Sequence, residues 1–399
     1  MIRGLISVCT VCLLALLLVY SLAEREPRAD FTYVNPSGIH TLDPARMSWT
    51  QDLRVALNIW EGLTSYDPKT LEPIEGAAHF PPKVSDDGLT YTFTIRGDGH
   101  WSNGDPVTAG DFVRAWRRAI EPGTAADYAF LLTDRVVGAS AYAAWRNQGV
   151  GVLAPLSRLA GGWRIDEDQV RSLVADPLVR ERVAVVGVPV PDGDQDPSAW
   201  SVFAEAINDA KLAWPGIHEE IFAQHAGQLD AEFSKVGLET PDEHTLVVRL
   251  TEPCPFFLDL TAFPVLSPCH KSIERLRRRH RGAAITAEGL VVYDSQWTKP
   301  DYHARGYPGL ITNGPYRLAD WKFKRRARLV VNPFFRDAKA IACRTVDMLV
   351  YDDVNAAIMA YEAGLVDFLP SMDVAYDHEI ARLAMTGERT DFPRCALPA

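Results

Sequence analysis

Apolar and polar residues alternate without a break from Leu89 to Arg96. Leu89, Tyr91, Phe93 and Ile95 fall on one side, and Thr90, Thr92, Thr94 and Arg96 on the other. That period of two predicts a half-buried β-strand. Asp86-Asp87-Gly88 precedes it as a hairpin turn, where acids serve the backbone rather than chemistry. His100-Trp101-Ser102-Asn103-Gly104-Asp105-Pro106 makes a second turn, after which Thr108 stands as an N-cap with Asp111 near the positive end of a helix. Glu121-Pro122-Gly123 stops that helix at about Ile120. Leu53, Leu57, Trp60 and Leu63 repeat at helical spacing and predict an earlier helix over 52–63. Further strands are read at 31–34, after a turn at 240–244, at 328–332 and at 346–351, with a helix over 355–363 ended by Gly364. Between 147 and 233 the pattern is helical, through Val170, Leu173, Val174 and Leu178 and an amphipathic run from Ala199 to Leu212.

Composition adds constraints without naming a function. The 399 residues are 47% hydrophobic and 23% charged, ordinary for a globular chain. A net charge of −11 argues against a nucleic-acid partner. One basic residue, Arg3, an apolar run from Leu5 to Val19 and a small-x-small exit at Ser21-Leu22-Ala23 predict a signal peptide over 1–23. An uncleaved N-terminal anchor is the alternative, although the run falls short of the ~20 residues of a membrane span. Four cysteines lie beyond it: Cys254, Cys269, Cys343 and Cys395. An exported chain permits disulfides, and Cys254 with Cys269 is the expected pair; buried free thiols are the other reading. The five arginines between Arg275 and Arg281 read as a solvated helix face. Chemistry-bearing motifs fail on inspection. There is no Gly-x-Ser-x-Gly, Walker loop or Gly-x-Gly-x-x-Gly, and His218-Glu219-Glu220 lacks a second histidine four residues after the first. The acidic turn at 192–196 lacks the downstream glutamate of a calcium loop, and no cysteine spacing suggests zinc. No catalytic residue, metal or cofactor is expected.

The strand, Trp-bearing turn and capped helix, in the wording Asp87-Gly88-Leu89-Thr90-Tyr91-Thr92-Phe93 and Trp101-Ser102-x-Gly104-x-Pro106-Val107-Thr108-Ala109-x-Asp111-Phe112, resemble one family. They are similar to the extracytoplasmic solute-binding proteins of peptide ABC importers (family 5), the oligopeptide-binding type. Leu42-Asp43-Pro44, Glu61-Gly62-Leu63, Thr312-Asn313-Gly314-x-Tyr316-x-Leu318, Asn332-Pro333-Phe334-Phe335 and Tyr361-x-x-Gly364-x-x-Asp367 extend the resemblance along the chain. It lapses over 147–233, which reads as an atypical helical insertion.

The resemblance implies an α/β clamshell of the type II, three-domain periplasmic-binding-protein kind. Larger-lobe segments would lie at 30–62 and 269–399, around a smaller lobe at 63–268. The C-terminal closing lobe is expected to be largely absent, because the chain stops close to where it should begin. The implied function is capture of peptides, or related small solutes, outside the cytoplasmic membrane for delivery to ABC permease subunits. A second polypeptide could supply the missing lobe. By resemblance, the Ser48, Trp49 and Thr50 loop would pair its main chain with the ligand, and Tyr128, Asn313, Gly314 and Tyr316 would line the cleft. Cys9 and Cys12 each follow a valine within the apolar core, so the lipid anchor common in the family is not supported. Two other classes stay open: a fragment repurposed as an interaction or sensor module, and an exported hydrolase.

Overall fold

The computed structural model describes residues 27–184, 189–191, 197–210, 214–300, 302 and 307–370. The signal segment, the acidic turn at 192–196 and Cys395 lie outside the described residues. Strand β1 (Phe31–Asn35) leads through a loop with a 3-10 turn at Pro44–Arg46 into helix α1 (Thr50–Ile59). Strands β2 (Thr64–Tyr66) and β3 (Pro73–Glu75) form a small antiparallel pair. Strands β4 (Lys83–Val84) and β5 (Thr90–Thr94) form the hairpin, in whose turn Asp87 accepts the Leu89 amide at 3.0 Å. Helix α2 (Ala109–Ile120) follows, then the short α3 (Phe130–Thr133).

Five helices make the next body: α4 (Ala139–Ala160), α5 (Glu167–Val174), α6 (Pro177–Ala184), α7 (Pro197–Asp209) and α8 (Trp214–Phe233). The chain then returns through β6 (Leu238–Asp242) and β7 (Thr245–Arg249), which complete an antiparallel sheet of order β4-β5-β7-β6. After α9 (Phe257–Ala262) and 3-10 turns at Pro264–Leu266 and Lys271–Leu276 come β8 (Tyr316–Lys322), β9 (Arg326–Val331), β10 (Thr345–Val350) and α10 (Val354–Glu362). The second sheet runs β1-β10-β9-β8, with β1 parallel to β10 and the other pairs antiparallel. No helix among the described residues is long and apolar enough to cross a membrane.

The alternation read at Leu89–Arg96 is what the sheet uses. Tyr91 and Phe93 are buried and pair across to Val248 and Leu246, so both strands turn the same face to one core. Phe257 covers that face, 4.8 Å from Tyr91 between ring centroids. One continuous core runs from this sheet past Trp60 and Trp101 to Leu318, Leu329 and Met348 of the second sheet. The helical body keeps a core of its own, built on Leu153, Leu156, Leu173, Phe203 and Ile207 and closed by Ile285 and Val291.

The first helix differs from its predicted bounds and its predicted face. It begins at Thr50, ends at Ile59, and buries Asp52, Val55, Ala56 and Ile59, while Leu57 is 52% exposed. Asp52 decides the rotation: its buried carboxylate accepts the His40 and Thr41 amides at 2.8 and 3.3 Å. Glu61 lies beyond the helix because its backbone is held by Asn313 instead of a further helical turn. The arginine run also departs from expectation. It is helical only as a 3-10 turn to Leu276; Arg278 then donates its amide to Val292, and Arg277 binds the Tyr293 hydroxyl at 3.0 Å. The expected Cys254–Cys269 disulfide is not formed, and both thiols are free and buried. Cys254 sits where its carbonyl meets the Tyr91 hydroxyl, whereas Cys269 donates its amide to Asp111 at the start of α2. The intervening α9 carries the two into different parts of the core.

Candidate functional site

The site is organised by the loop between β1 and α1. Leu42 is completely buried, Asp43 caps the Pro44–Arg46 turn by accepting the Ala45 amide at 3.2 Å, and Pro44 supplies the fixed first turn position. The same Asp43 carboxylate takes both terminal nitrogens of Arg118 from α2, at 3.1 and 2.7 Å, with both side chains buried. Burial disfavours the Arg118 charge, but the Asp43 carboxylate outweighs it and holds the guanidinium pKa above its ordinary value. The guanidinium in turn lies over the Tyr293 ring (4.8 Å) and the Trp297 ring (5.5 Å). Asp43 and Arg118 therefore lock the loop to α2 and to the 293–300 segment.

Between these parts opens a cavity of about 600 Å³. His40, Arg46, Ser48 and Trp49 come from the loop, Asp127 from the turn after α2, the 295–300 stretch supplies a further wall, and Trp321 and Phe323 come from the β8–β9 hairpin. Trp49 stacks on His40 at 5.2 Å between centroids, and its backbone carbonyl caps α1 by accepting the Asp52 and Leu53 amides. Asp52 is fully buried behind this stack; burial raises its pKa despite the amides it accepts. The wall thus combines aromatic faces, cationic side chains and one carboxylate among the described residues. No group of three or more His, Cys, Asp and Glu there is placed to hold a metal.

The residues expected to bind ligand are not all brought together. Ser48 and Trp49 line the cavity; Thr50 is exposed as the first residue of α1 and does not line it. Tyr128 is half-buried, packed edge-on against Phe263 at 5.3 Å, while its neighbour Asp127 reaches the wall. Asn313, Gly314 and Tyr316 stand away from the wall. The Asn313 amide accepts the Glu61 N–H at 3.1 Å and donates to the Glu61 carbonyl at 2.8 Å, a side chain standing in for a strand neighbour. Gly314 donates to the Ile59 carbonyl, and a Cβ there would lie 2.5 Å from the Ile59 carbonyl carbon. Tyr316 donates its hydroxyl to the Cys343 carbonyl at 2.8 Å. His40 and Arg46 flank the Leu42-Asp43-Pro44 motif and Asp127 stands beside Tyr128, whereas Lys299, Trp321 and Phe323 carry no mark in the linear sequence beyond their residue types.

A model of the bacterial extracellular solute-binding proteins, family 5 (Middle), matches residues 63–386. The chain belongs to this family. As a family 5 protein it is 24% identical over 339 residues to the periplasmic oligopeptide-binding protein OppA of Escherichia coli K12, covering 84% of this chain and 41% of that relative. It is 22% identical over 342 residues to the probable deoxycholate-binding periplasmic protein YgiS of the same organism, covering 86% and 44%. The solved structure of OppA from Burkholderia pseudomallei shares the fold, with a TM-score of 0.56 at 21% identity, covering 90% of this chain and 49% of that one. The chain thus spans about half the length of the relatives it matches. The fold is that of the α/β clamshell binders, of which this family 5 chain aligns with about half. The family match also runs through 147–233, where the short motifs lapse.

Proposed function

We propose that this chain is the capturing component of an importer for peptides or related small solutes, exported by its first 23 residues and working outside the cytoplasmic membrane. The observation that carries the reading is the cavity of about 600 Å³ at the Leu42-Asp43-Pro44 loop of a family 5 protein. Its size falls within the range of small-ligand sites, about 300–1,000 Å³. The loop at Ser48 and Trp49 offers backbone to an extended ligand, and the Trp49 ring covers it. Relatives named for oligopeptides and for deoxycholate support a small organic ligand. The remaining partners we propose are ABC permease subunits and a second polypeptide that closes the cavity from its open side.

Fluorescence titration of the full chain with a tripeptide library tests the reading. Emission from Trp49 should change on binding, and Trp49→Phe should remove most of that change. If no peptide or steroid acid alters either emission or melting temperature, the proposed function is wrong.

A further inference from the structure

Charge is unevenly placed around the cavity. The chain as a whole carries 52 acidic side chains against 41 lysines and arginines. Yet the wall presents Arg46 and Lys299 against a single carboxylate, Asp127, among the described residues. Elsewhere guanidinium groups are engaged: Arg118 by Asp43, Arg336 by Glu61, Arg328 by Asp347. The side chains of Arg46 and Lys299 are exposed and have no hydrogen-bond or ion-pair partner among the described residues. Asp52, the other nearby acid, is buried behind the loop with its oxygens on the His40 and Thr41 amides. The Arg46 side chain, moreover, starts from a fixed point, the end of the turn held by Asp43 and Arg118.

Beside these cations stand aromatic faces turned to solvent. Trp49 is 57% and Phe323 70% exposed, and Trp321 joins them on the wall. Large exposed apolar groups gathered at one concave surface mark a binding surface. A guanidinium fork matches the two oxygens of a carboxylate, and an ammonium adds a mobile point charge.

We infer that the cavity reads a carboxylate on its ligand: Arg46 and Lys299 hold the oxyanion, while Trp49, Trp321 and Phe323 cover an adjoining apolar body. The inference rests on the binding function proposed above and narrows it to a small molecule that pairs one free carboxylate with an apolar body. A short hydrophobic peptide with a free C-terminus and a steroid carboxylate share that chemistry.

Isothermal titration calorimetry on the full chain, with four probes, separates the cases. The probes are Leu-Phe-Leu, its C-terminal amide, its N-acetyl form, and deoxycholate below its micelle concentration. Amidation should weaken binding about 10- to 100-fold, the loss expected for a hydrogen-bonded charge, and N-acetylation less than about threefold. The R46Q/K299Q variant should bind the acid no better than the amide, with its melting temperature preserved. Deoxycholate binding more tightly than Leu-Phe-Leu would assign the carboxylate to a free organic acid; the reverse order assigns it to a peptide C-terminus. Equal affinity for acid and amide, or an amidation penalty that persists in R46Q/K299Q, overturns the inference while the binding function stands. No binding of any probe sinks both.

Discussion

Asp43 does three jobs with one carboxylate: it caps a 3-10 turn, pairs with Arg118 and fixes the distance between the loop and α2. Removing one partner of a buried ion pair leaves the other charge uncompensated, at a cost of about 3–5 kcal/mol. Arg118→Met should therefore lower the urea-unfolding free energy by about that amount, and adding Asp43→Leu should restore most of it. A loss under about 1 kcal/mol for the single variant would mean that water replaces the pair. Gly314 is constrained differently. An alanine Cβ would meet the backbone at Ile59, so Gly314→Ala should cost about 2–4 kcal/mol, on the scale of other large backbone or overpacking effects. A Gly314→Ala protein that melts with the parent would refute that close approach. At this scale the sequence was half legible. Leu42-Asp43-Pro44 and Thr312-Asn313-Gly314 stand out as motifs, but the partner of Asp43 lies 75 positions away and that of Asn313 lies 252 away. Glu61 stands in a motif of its own, Glu61-Gly62-Leu63, but nothing local ties it to Asn313, and nothing local marks Arg118.

Among the elements, α4 and α8 of the helical body are joined to the end of α2 by a buried polar knot. Arg146 donates to Glu121 at 2.6 Å and to the Gly289 carbonyl at 2.9 Å, and its guanidinium also meets the ring of His225. Gly149 makes room for that ring, since a Cβ would lie 2.1 Å from its Cε1. Tyr142 adds its hydroxyl to Glu121 at 2.5 Å. Burial, reinforced by the Arg146 charge, pushes the His225 pKa down from 6.5 to about 4. The folded protein thus keeps His225 neutral at pH values where the unfolded chain protonates it. Between about pH 4 and 6.5 the unfolded state binds the extra proton, so this contribution to stability is complete above 6.5 and is lost as pH falls to 4. Over that window the change should amount to about 3 kcal/mol. Thermal melts from pH 4 to 7 should show a steeper rise for the parent than for His225→Gln; parallel curves would mean that the imidazole is solvated. Apolar spacing made α5, α6 and α7 legible, while α4 and α8 were read only as parts of a helical stretch over 147–233. The knot that attaches them was not, because Glu121 reads as a helix stop and Arg146 and His225 as single polar residues in amphipathic runs.

For the whole molecule, the proposed second polypeptide would face the cavity from its solvent side. If a second polypeptide completes the site, affinity purification from the native host followed by intact-mass measurement should give this chain in a stable complex, and peptide should bind the complex more tightly than the chain alone. A lone chain whose affinity no partner improves would rule out that second polypeptide. The linear sequence determined strands β1, β5, β7, β9 and β10, the capped helix and the family, because alternation, capping and turn formation act between residues a few positions apart. The helical register of α1, the state of the cysteines and the membership of the cavity wall were decided by the tertiary structure alone. That wall draws on 40–49, on Asp127, on 295–300 and on 321–323, stretches separated by up to about 280 positions and joined only when the Asp43–Arg118 pair and the β8–β9 hairpin close around them.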